Sequence, residues 1–144
     1  MSEVEILLVE DNPDDLEMAL FAFREANIAN QIQVARDGQE ALDFIFAEGS
    51  FAGRMREPYP KVILLDLKLP KVDGFEVLKR LKATPETRTI PVVVLTSSKE
   101  QRDMVESYNL GVNSYIVKPV NFENFASVIK DLGFYWLILN QQVK

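Results

Sequence analysis

The stretch ILLVEDNPDD, residues 6–15, predicts one complete strand–helix unit. Its first four residues are large and apolar, which is typical of a strand that is covered on both faces of a sheet. The apolar run ends at Glu10 and Asp11. Asn12 followed by Pro13 is a favoured pair for the N-cap and first position of a helix. Acidic residues therefore lie at the turn between a buried strand and a helix.

The same alternation of strand and helix patterns continues along the chain. Apolar runs rich in β-branched residues predict strands at 4–9, 31–35, 61–66, 90–96 and 113–118. The second run alternates polar and apolar residues, so we expect that strand nearer an edge of the sheet. Helices are predicted to begin after Asp37 and Asp73, each followed three residues later by a glutamate, as in a capping box. This order predicts an α/β fold with a doubly wound, five-stranded parallel sheet, (βα)5.

Composition narrows the possible chemistry. The 144 residues suit one domain, and the connection at 48–60 is predicted to be an irregular insertion. The chain has no cysteine and no histidine, which excludes disulfides, thiol catalysis, histidine metal ligands and phosphohistidine on this chain. A net charge of −6 argues against nucleic acid as a ligand. With no signal-peptide pattern and no apolar run of membrane-spanning length, we expect a cytoplasmic protein without membrane contact.

Polar side chains follow four of the predicted strands at the edge where ligands bind in open parallel sheets. From the first strand to the last these are Glu10 and Asp11, Asp66, Thr96, and Lys118. A single acid at a strand end is usually a helix cap or a solvated loop residue. Asp14 and Asp15 are interpreted in that way, as first-turn acids favoured by the helix dipole. Five suitable residues at one edge predict a functional site instead.

The predicted chemistry of this edge is that of a metal-assisted phosphoryl acceptor. Two carboxylates about 4 Å apart repel by roughly 4 kcal/mol at an effective dielectric constant near 20, and a divalent cation would reverse that repulsion. Carboxylates without histidine or cysteine suit Mg²⁺. Asp66, at the centre of the edge, could be both a metal ligand and a nucleophile that becomes an aspartyl-phosphate. Lys118 could pair with the phosphoryl charge, and Thr96 could hydrogen-bond one phosphoryl oxygen.

Four motifs carry a resemblance to a known family. They are VEDNPDD at 9–15, LLDLKLPKVDGFEVLKRLK at 64–82, PVVVLTSS at 91–98 and GVNSYIVKPV at 111–120. Together they resemble the receiver domain of two-component response regulators over essentially the whole chain. The resemblance implies a flavodoxin-like (CheY-like) fold with an extended last helix, and a single receiver domain, 1–144, without an output domain.

The resemblance also implies a role for each site residue. Asp66 is expected to be the phosphoacceptor and Asp11 a direct Mg²⁺ ligand, with Glu10 acting through water. The backbone carbonyl of Lys68 is expected to complete the metal site. By the same resemblance, Thr96 and Tyr115 are the switch pair, Lys118 contacts the phosphoryl group, and the Lys118–Pro119 bond is cis.

The long insertion and the aromatic C-terminus resemble stand-alone regulators that partner phytochrome-type sensor kinases. We therefore expect a partner histidine kinase to donate its phosphoryl group to Asp66, in a switch that is not an enzyme. A phosphohydrolase is one alternative. Such enzymes typically have an Asp-x-Asp motif that begins at the nucleophile, but this chain has Lys68 where the second aspartate would be. A flavin or nucleotide module is another alternative, but the acids of EDNPDD, 10–15, would repel a phosphate.

The segment FYWLIL, 134–139, is too uniformly apolar for a helix with one buried face. One interpretation is that it forms the interface of a homodimer through the C-terminal helix. The alternative is that an extended helix folds back over its own sheet and covers these side chains. A kinase or target surface is a third use that the sequence leaves open.

Overall fold

A computed structural model describes residues 5–25, 32–112, 114–118, 121–128 and 130. Five parallel strands form one sheet in the order β2-β1-β3-β4-β5. The strands are β1 Ile6–Val9, β2 Ile32–Ala35, β3 Val62–Asp66, β4 Val92–Thr96 and β5 Ser114–Val117. The predicted doubly wound sheet is confirmed, with β2 at an edge, as its alternating pattern indicated.

Helices connect the strands. They are α1 Pro13–Glu25, α2 Gly38–Phe46, α3 Gly74–Ala83 and α4 Lys99–Ser107, followed by α5 with helical residues at 122–128 and 130. The predicted extension of the last helix, including 134–139, lies outside the described residues. Across the described segments, each helix is too short or too polar to span a lipid bilayer.

The three central strands are buried along their whole length, because helices cover both faces of the sheet. Successive residues of β1, such as Leu7 and Leu8, point to opposite faces of the sheet and belong to two separate cores. On the face of α1 and α5, the rings of Phe23 and Phe125 pack edge to face, with centroids 5.8 Å apart. The continuous apolar runs therefore form buried central strands, and the polar residues at their carboxyl ends lie at one edge of the sheet.

The helix starts follow the predicted caps. Asn12 Oδ1 accepts the backbone N–H groups of Asp14 (2.9 Å) and Asp15 (3.0 Å). Asp37 and Asp73 both cap their helices through a side-chain oxygen. The glutamates predicted to complete the two capping boxes act differently. The first accepts an N–H one residue before its cap, and the second pairs with a lysine on its own helix.

The connection at 48–60 is irregular, as predicted, with a single 3-10 turn at Gly49–Phe51. Both arginines of this connection contact α2. The Arg54 Nε donates to the carbonyl of Phe44 (2.9 Å), and the Arg56 Nε donates to the carbonyl of Phe46 (3.0 Å). Both carbonyls belong to the last turn of α2, where the regular i+4 donors end, and the Phe44 carbonyl also accepts the N–H of Ala47 (3.4 Å). The insertion therefore caps a helix.

Candidate functional site

The carboxyl edge of the sheet brings together charged residues from three strands. Glu10 follows β1, Asp66 is the last residue of β3 and Lys118 follows β5. Lys118 Nζ lies 2.7 Å from Asp66 Oδ2 and 3.0 Å from Glu10 Oε2. The backbone N–H of Lys118 donates to the carbonyl of Thr96 (2.8 Å), which continues the β4–β5 pairing beyond the strand. Sheet geometry therefore fixes the relative positions of all four residues.

Three carboxylates form a cluster of the kind that holds a metal ion. Glu10, Asp11 and Asp66 each offer an oxygen within 4.8 Å of the others. Glu10 and Asp66 are buried, whereas Asp11 is exposed. Glu10 Oε1 is buried and has no hydrogen-bond partner among the described residues. A buried carboxylate oxygen without a partner is costly, so this all-oxygen donor set fits a hard divalent cation.

The pKa values of Glu10 and Lys118 are both raised. The shift disfavours the charged form of Glu10 and favours the charged form of Lys118. Burial and, after it, the adjacent Asp66 carboxyl group raise the pKa of Glu10 to about 7. Burial alone would lower the pKa of Lys118, but hydrogen bonds to Asp66, Asp15 and Glu10 outweigh it, so the net shift is upward. Lys118 thus remains an ammonium group, and it offsets the repulsion that the sequence analysis expected a metal to relieve.

Asp15 is a further partner of Lys118 that was not predicted from the sequence. Its Oδ2 lies 3.0 Å from Lys118 Nζ, at the same distance as Glu10 Oε2. Asp15 is also the first-turn acid that was predicted. The signal was its place in the chain: Asp15 lies in the first turn of α1, and this turn begins at the carboxyl end of β1.

The loop after β3 holds Asp66 in place. Asp66 Oδ1 accepts the backbone N–H of Lys68 (3.0 Å), and Leu67 N–H donates to the carbonyl of Leu95 (3.1 Å). Gly74, the first residue of α3, donates its N–H to the carbonyl of Leu67 (3.0 Å). A Cβ at Gly74 would lie 2.0 Å from the carbonyl oxygen of Asp66. Gly74 is therefore a second residue that the sequence analysis missed, since only glycine allows this approach.

We expect Gly74→Ala to destabilise the protein and to displace Asp66. The added methyl group meets backbone atoms that cannot rotate away, and overpacking of this kind costs about 1–3 kcal/mol. Urea denaturation measures the loss. Gly53→Ala is the matched control, because a Cβ there has open space around it. Equal stability of the two variants would contradict the close approach at Gly74.

Thr96 and Tyr115, the predicted switch pair, lie on neighbouring strands and on the same face of the sheet, offset by two residues in register. Thr96 is buried at the end of β4, and Tyr115 pairs with Val94, two residues earlier. The Tyr115 ring is half-buried under the guanidinium of Arg102, 4.7 Å from the ring centroid. Beside it, a cavity of about 300 Å³ opens between the end of α4 and β5. The predicted cis bond at Lys118–Pro119 lies outside the described residues.

Comparison with known proteins decides the family. Residues 6–130 match the family described as the response regulator receiver domain, which covers most of the 144 residues. The chain belongs to this family. The resemblance carried by the four sequence motifs is thereby confirmed, and the fold is that of a receiver domain.

Several relatives of this receiver domain are phytochrome regulators by name. It is 53% identical to the bacteriophytochrome response regulator RtBRR, with a TM-score of 0.81 and coverage of 92% of this chain and 79% of that chain. The phosphorylated cyanobacterial phytochrome response regulator RcpA is 39% identical, with a TM-score of 0.77 and coverage of 94% and 95%.

The response regulator Rcp1 of Synechocystis is a further relative of this receiver domain. It is 38% identical over 132 residues, which are 92% of this chain and 88% of Rcp1. Its structure in the Mn²⁺-bound form has a TM-score of 0.75 to this chain and covers 92% of this chain and 93% of that one.

Proposed function

We propose that this receiver domain is a phosphorylation switch that accepts a phosphoryl group from a partner sensor histidine kinase onto Asp66. The observation that carries the proposal is the contact of Lys118 Nζ with Asp66 Oδ2 at 2.7 Å, beside a cluster of three carboxylates. The ammonium group marks where an anionic phosphoryl group would be paired. Relatives named for phytochromes support a kinase of that class as the donor.

In the transfer, an oxygen of the Asp66 carboxylate attacks phosphorus and the phosphorus–nitrogen bond of the donor phosphohistidine breaks. The imidazole nitrogen leaves with the bonding electron pair and takes up a proton. Lys118 pairs with the phosphoryl oxygens, and the Thr96 hydroxyl donates to one of them. The chain contains no histidine, so the donor is another molecule.

We propose Mg²⁺ as the resident cation of this site. Glu10, Asp11, Asp66 and the backbone carbonyl of Lys68 would hold it, and the cation would neutralise charge on the phosphoryl oxygens. The unpartnered, buried Glu10 Oε1 supports a cation at this position. The Mn²⁺-bound form of the relative Rcp1 supports a divalent ion of this kind.

The test is transfer from an autophosphorylated, phytochrome-type histidine kinase carrying labelled phosphate. With Mg²⁺ the label should move from the kinase to this chain, and with excess chelator it should stay on the kinase. Histidine kinases of other sensor classes serve as the comparison and should transfer more slowly. Label that stays on every kinase in Mg²⁺ would overturn the proposed function.

We propose that Thr96 and Tyr115 convert the phosphoryl group into a change at the surface of β5. Movement of Thr96 toward the phosphoryl group would leave space for the Tyr115 ring, which is only half-buried. Moving a population from 1:99 to 99:1 requires about 5.5 kcal/mol of differential interaction. A few charge-assisted hydrogen bonds at about 1.5–3 kcal/mol each supply that amount.

The remaining assignments are part of the same proposal. The chain acts as a single receiver domain, 1–144, in the cytoplasm, and as a switch rather than an enzyme. Lys68, in place of a second acid after the nucleophile, disfavours the phosphohydrolase alternative. The acids at 10–15 disfavour a flavin or nucleotide, and the net charge of −6 disfavours nucleic acid.

We further propose a homodimer through the apolar segment 134–139. Burying a large apolar side chain contributes roughly 1.5–3 kcal/mol, so two or three such residues on each copy could hold a symmetric pair. Sedimentation should show a dimer for the parent and a monomer for Trp136→Glu. The control Tyr108→Glu, at the exposed aromatic residue that follows α4, should remain dimeric. A parent that is monomeric at high micromolar concentration, with and without phosphate, would exclude the homodimer.

A further inference from the structure

The side chain of Gln101, in the first turn of α4, lies against the end of β4. Its Oε1 is 2.9 Å from Thr96 Oγ1, 3.1 Å from the backbone nitrogen of Ser97 and 3.4 Å from Ser97 Oγ. A backbone N–H can only donate, so the atom that faces it must be the amide oxygen. One acceptor of Gln101 therefore holds donors from two consecutive residues at the carboxyl edge.

Helix capping accounts for only part of this arrangement. Ser98 caps α4, and its Oγ accepts the backbone N–H of Gln101 (3.2 Å), as in a capping box. The Gln101 side chain bonds the N–H one residue before the cap, as Glu40 does at the start of α2. At α4, however, the oxygen also reaches the hydroxyl of Thr96, which belongs to the strand. Capping alone does not require that second contact.

One of the two residues that Gln101 holds is Thr96, proposed above to donate to a phosphoryl group on Asp66, and the Ser97 N–H follows it directly in the chain. Thr96 Oγ1 has one proton, which it can give to the carbonyl of Ser98 or to Gln101 Oε1, each 2.9 Å away. The Ser97 N–H lies next in the chain and has Gln101 as its acceptor. A phosphoryl oxygen can bond these donors only after they have left their present acceptors.

We propose that Gln101 is a positioning residue that holds Thr96 and Ser97 in the unphosphorylated arrangement and competes with the phosphoryl group for their hydrogens. The inference rests on the proposed function, because it concerns the same site. Contacts made in one state only shift the equilibrium toward that state. Gln101 thus determines how readily phosphorylation shifts the protein out of the unphosphorylated arrangement. Because Gln101 lies in α4, the release of Thr96 and Ser97 is coupled to that helix.

The test compares binding of beryllofluoride, a phosphoryl mimic, in Mg²⁺ by titration of the parent and its variants. Gln101→Ala removes the competing acceptor and should tighten binding about three- to tenfold, the effect of roughly one net hydrogen bond. Gln101→Glu supplies a stronger, anionic acceptor and should weaken binding by at least as much. Gln39→Ala, at an exposed glutamine of α2, is the control and should match the parent.

A purely structural role makes a different prediction. Loss of a helix cap would lower the melting temperature of Gln101→Ala and leave its beryllofluoride affinity unchanged or weaker, and that result would overturn the proposal. The amide NMR signal of Ser97, recorded without metal or phosphate, is a second readout. It should move in Gln101→Ala and stay in Gln39→Ala, and an unmoved signal would also overturn the proposal. A parent that fails to bind beryllofluoride would overturn the proposed function, whereas an unmoved Ser97 signal would overturn the role of Gln101 alone.

Discussion

Asp66→Asn is expected to abolish phosphorylation of the protein by acetyl phosphate in Mg²⁺. The parent should gain one labile phosphoryl group, seen by intact-protein mass spectrometry, and the variant should gain none. An amide is not a useful nucleophile, and it also removes one negative charge from the metal cluster. Asparagine retains an oxygen that can accept the N–H of Lys68, so the loop after β3 should keep its conformation.

Asp103→Asn is the matched control for this experiment. Asp103 is an exposed aspartate of α4, so its variant should be phosphorylated like the parent. Treatment with hydroxylamine, which cleaves acyl phosphates, should remove the group from the parent. A stable adduct that persists in Asp66→Asn would show that another side chain is the acceptor.

The fold could be predicted because its determinants are local. Each central strand is a continuous apolar run, and an N-cap or a turn follows within a few residues, as in Val9 to Pro13. Alternation of strand and helix then leaves few topologies, because parallel connections have one hand. Details within the caps were less predictable, since they depend on side-chain rotamers. Glu40 lies where a capping box predicts, yet its carboxylate bonds the N–H of Arg36.

Much of the site could also be predicted, because the ends of parallel strands meet at one edge. That reasoning places Glu10, Asp66 and Lys118 together without any side-chain geometry. It could not show that Lys118 reaches past β4, from the edge strand β5 to the carboxylate on β3. Nor could it show which polar residues of the flanking helices, such as Asp15 and Gln101, turn toward the edge. Those contacts depend on how each helix packs on the sheet.

The role of Lys118 as the internal counter-charge leads to the second large effect. In chelator, we expect Lys118→Met to lower the free energy of unfolding by about 3 kcal/mol. Removing one partner of a buried ion pair typically costs about 3–5 kcal/mol. The lower end applies because the Lys118 side chain is 15% exposed and because Glu10, with its pKa raised to about 7, can relieve part of the repulsion by binding a proton. Urea denaturation in chelator measures the loss.

Lys79→Met is the control, because it removes a lysine whose ion pair is exposed. Lys79 Nζ lies 2.9 Å from Glu76 Oε1, and exposed pairs of this kind contribute about 0–1 kcal/mol. Similar losses in the two variants would show that Lys118 does not hold the carboxylates together.

The same denaturation series in saturating Mg²⁺ separates the two possible sources of positive charge at this edge. A cation bound by Glu10, Asp11 and Asp66 would replace the charge that Lys118→Met removes. Without the ammonium group, the carboxylates of the variant should bind Mg²⁺ more tightly than those of the parent. Because the stability gained on binding increases with affinity, the difference between parent and variant should shrink in Mg²⁺. A deficit that is unchanged by Mg²⁺, in a variant that still binds the ion, would mean that Lys118 and the metal neutralise different carboxylate oxygens. The carboxylates of this edge would then need both the Lys118 ammonium group and Mg²⁺. A difference in stability that shrinks means that either positive charge can relieve their repulsion.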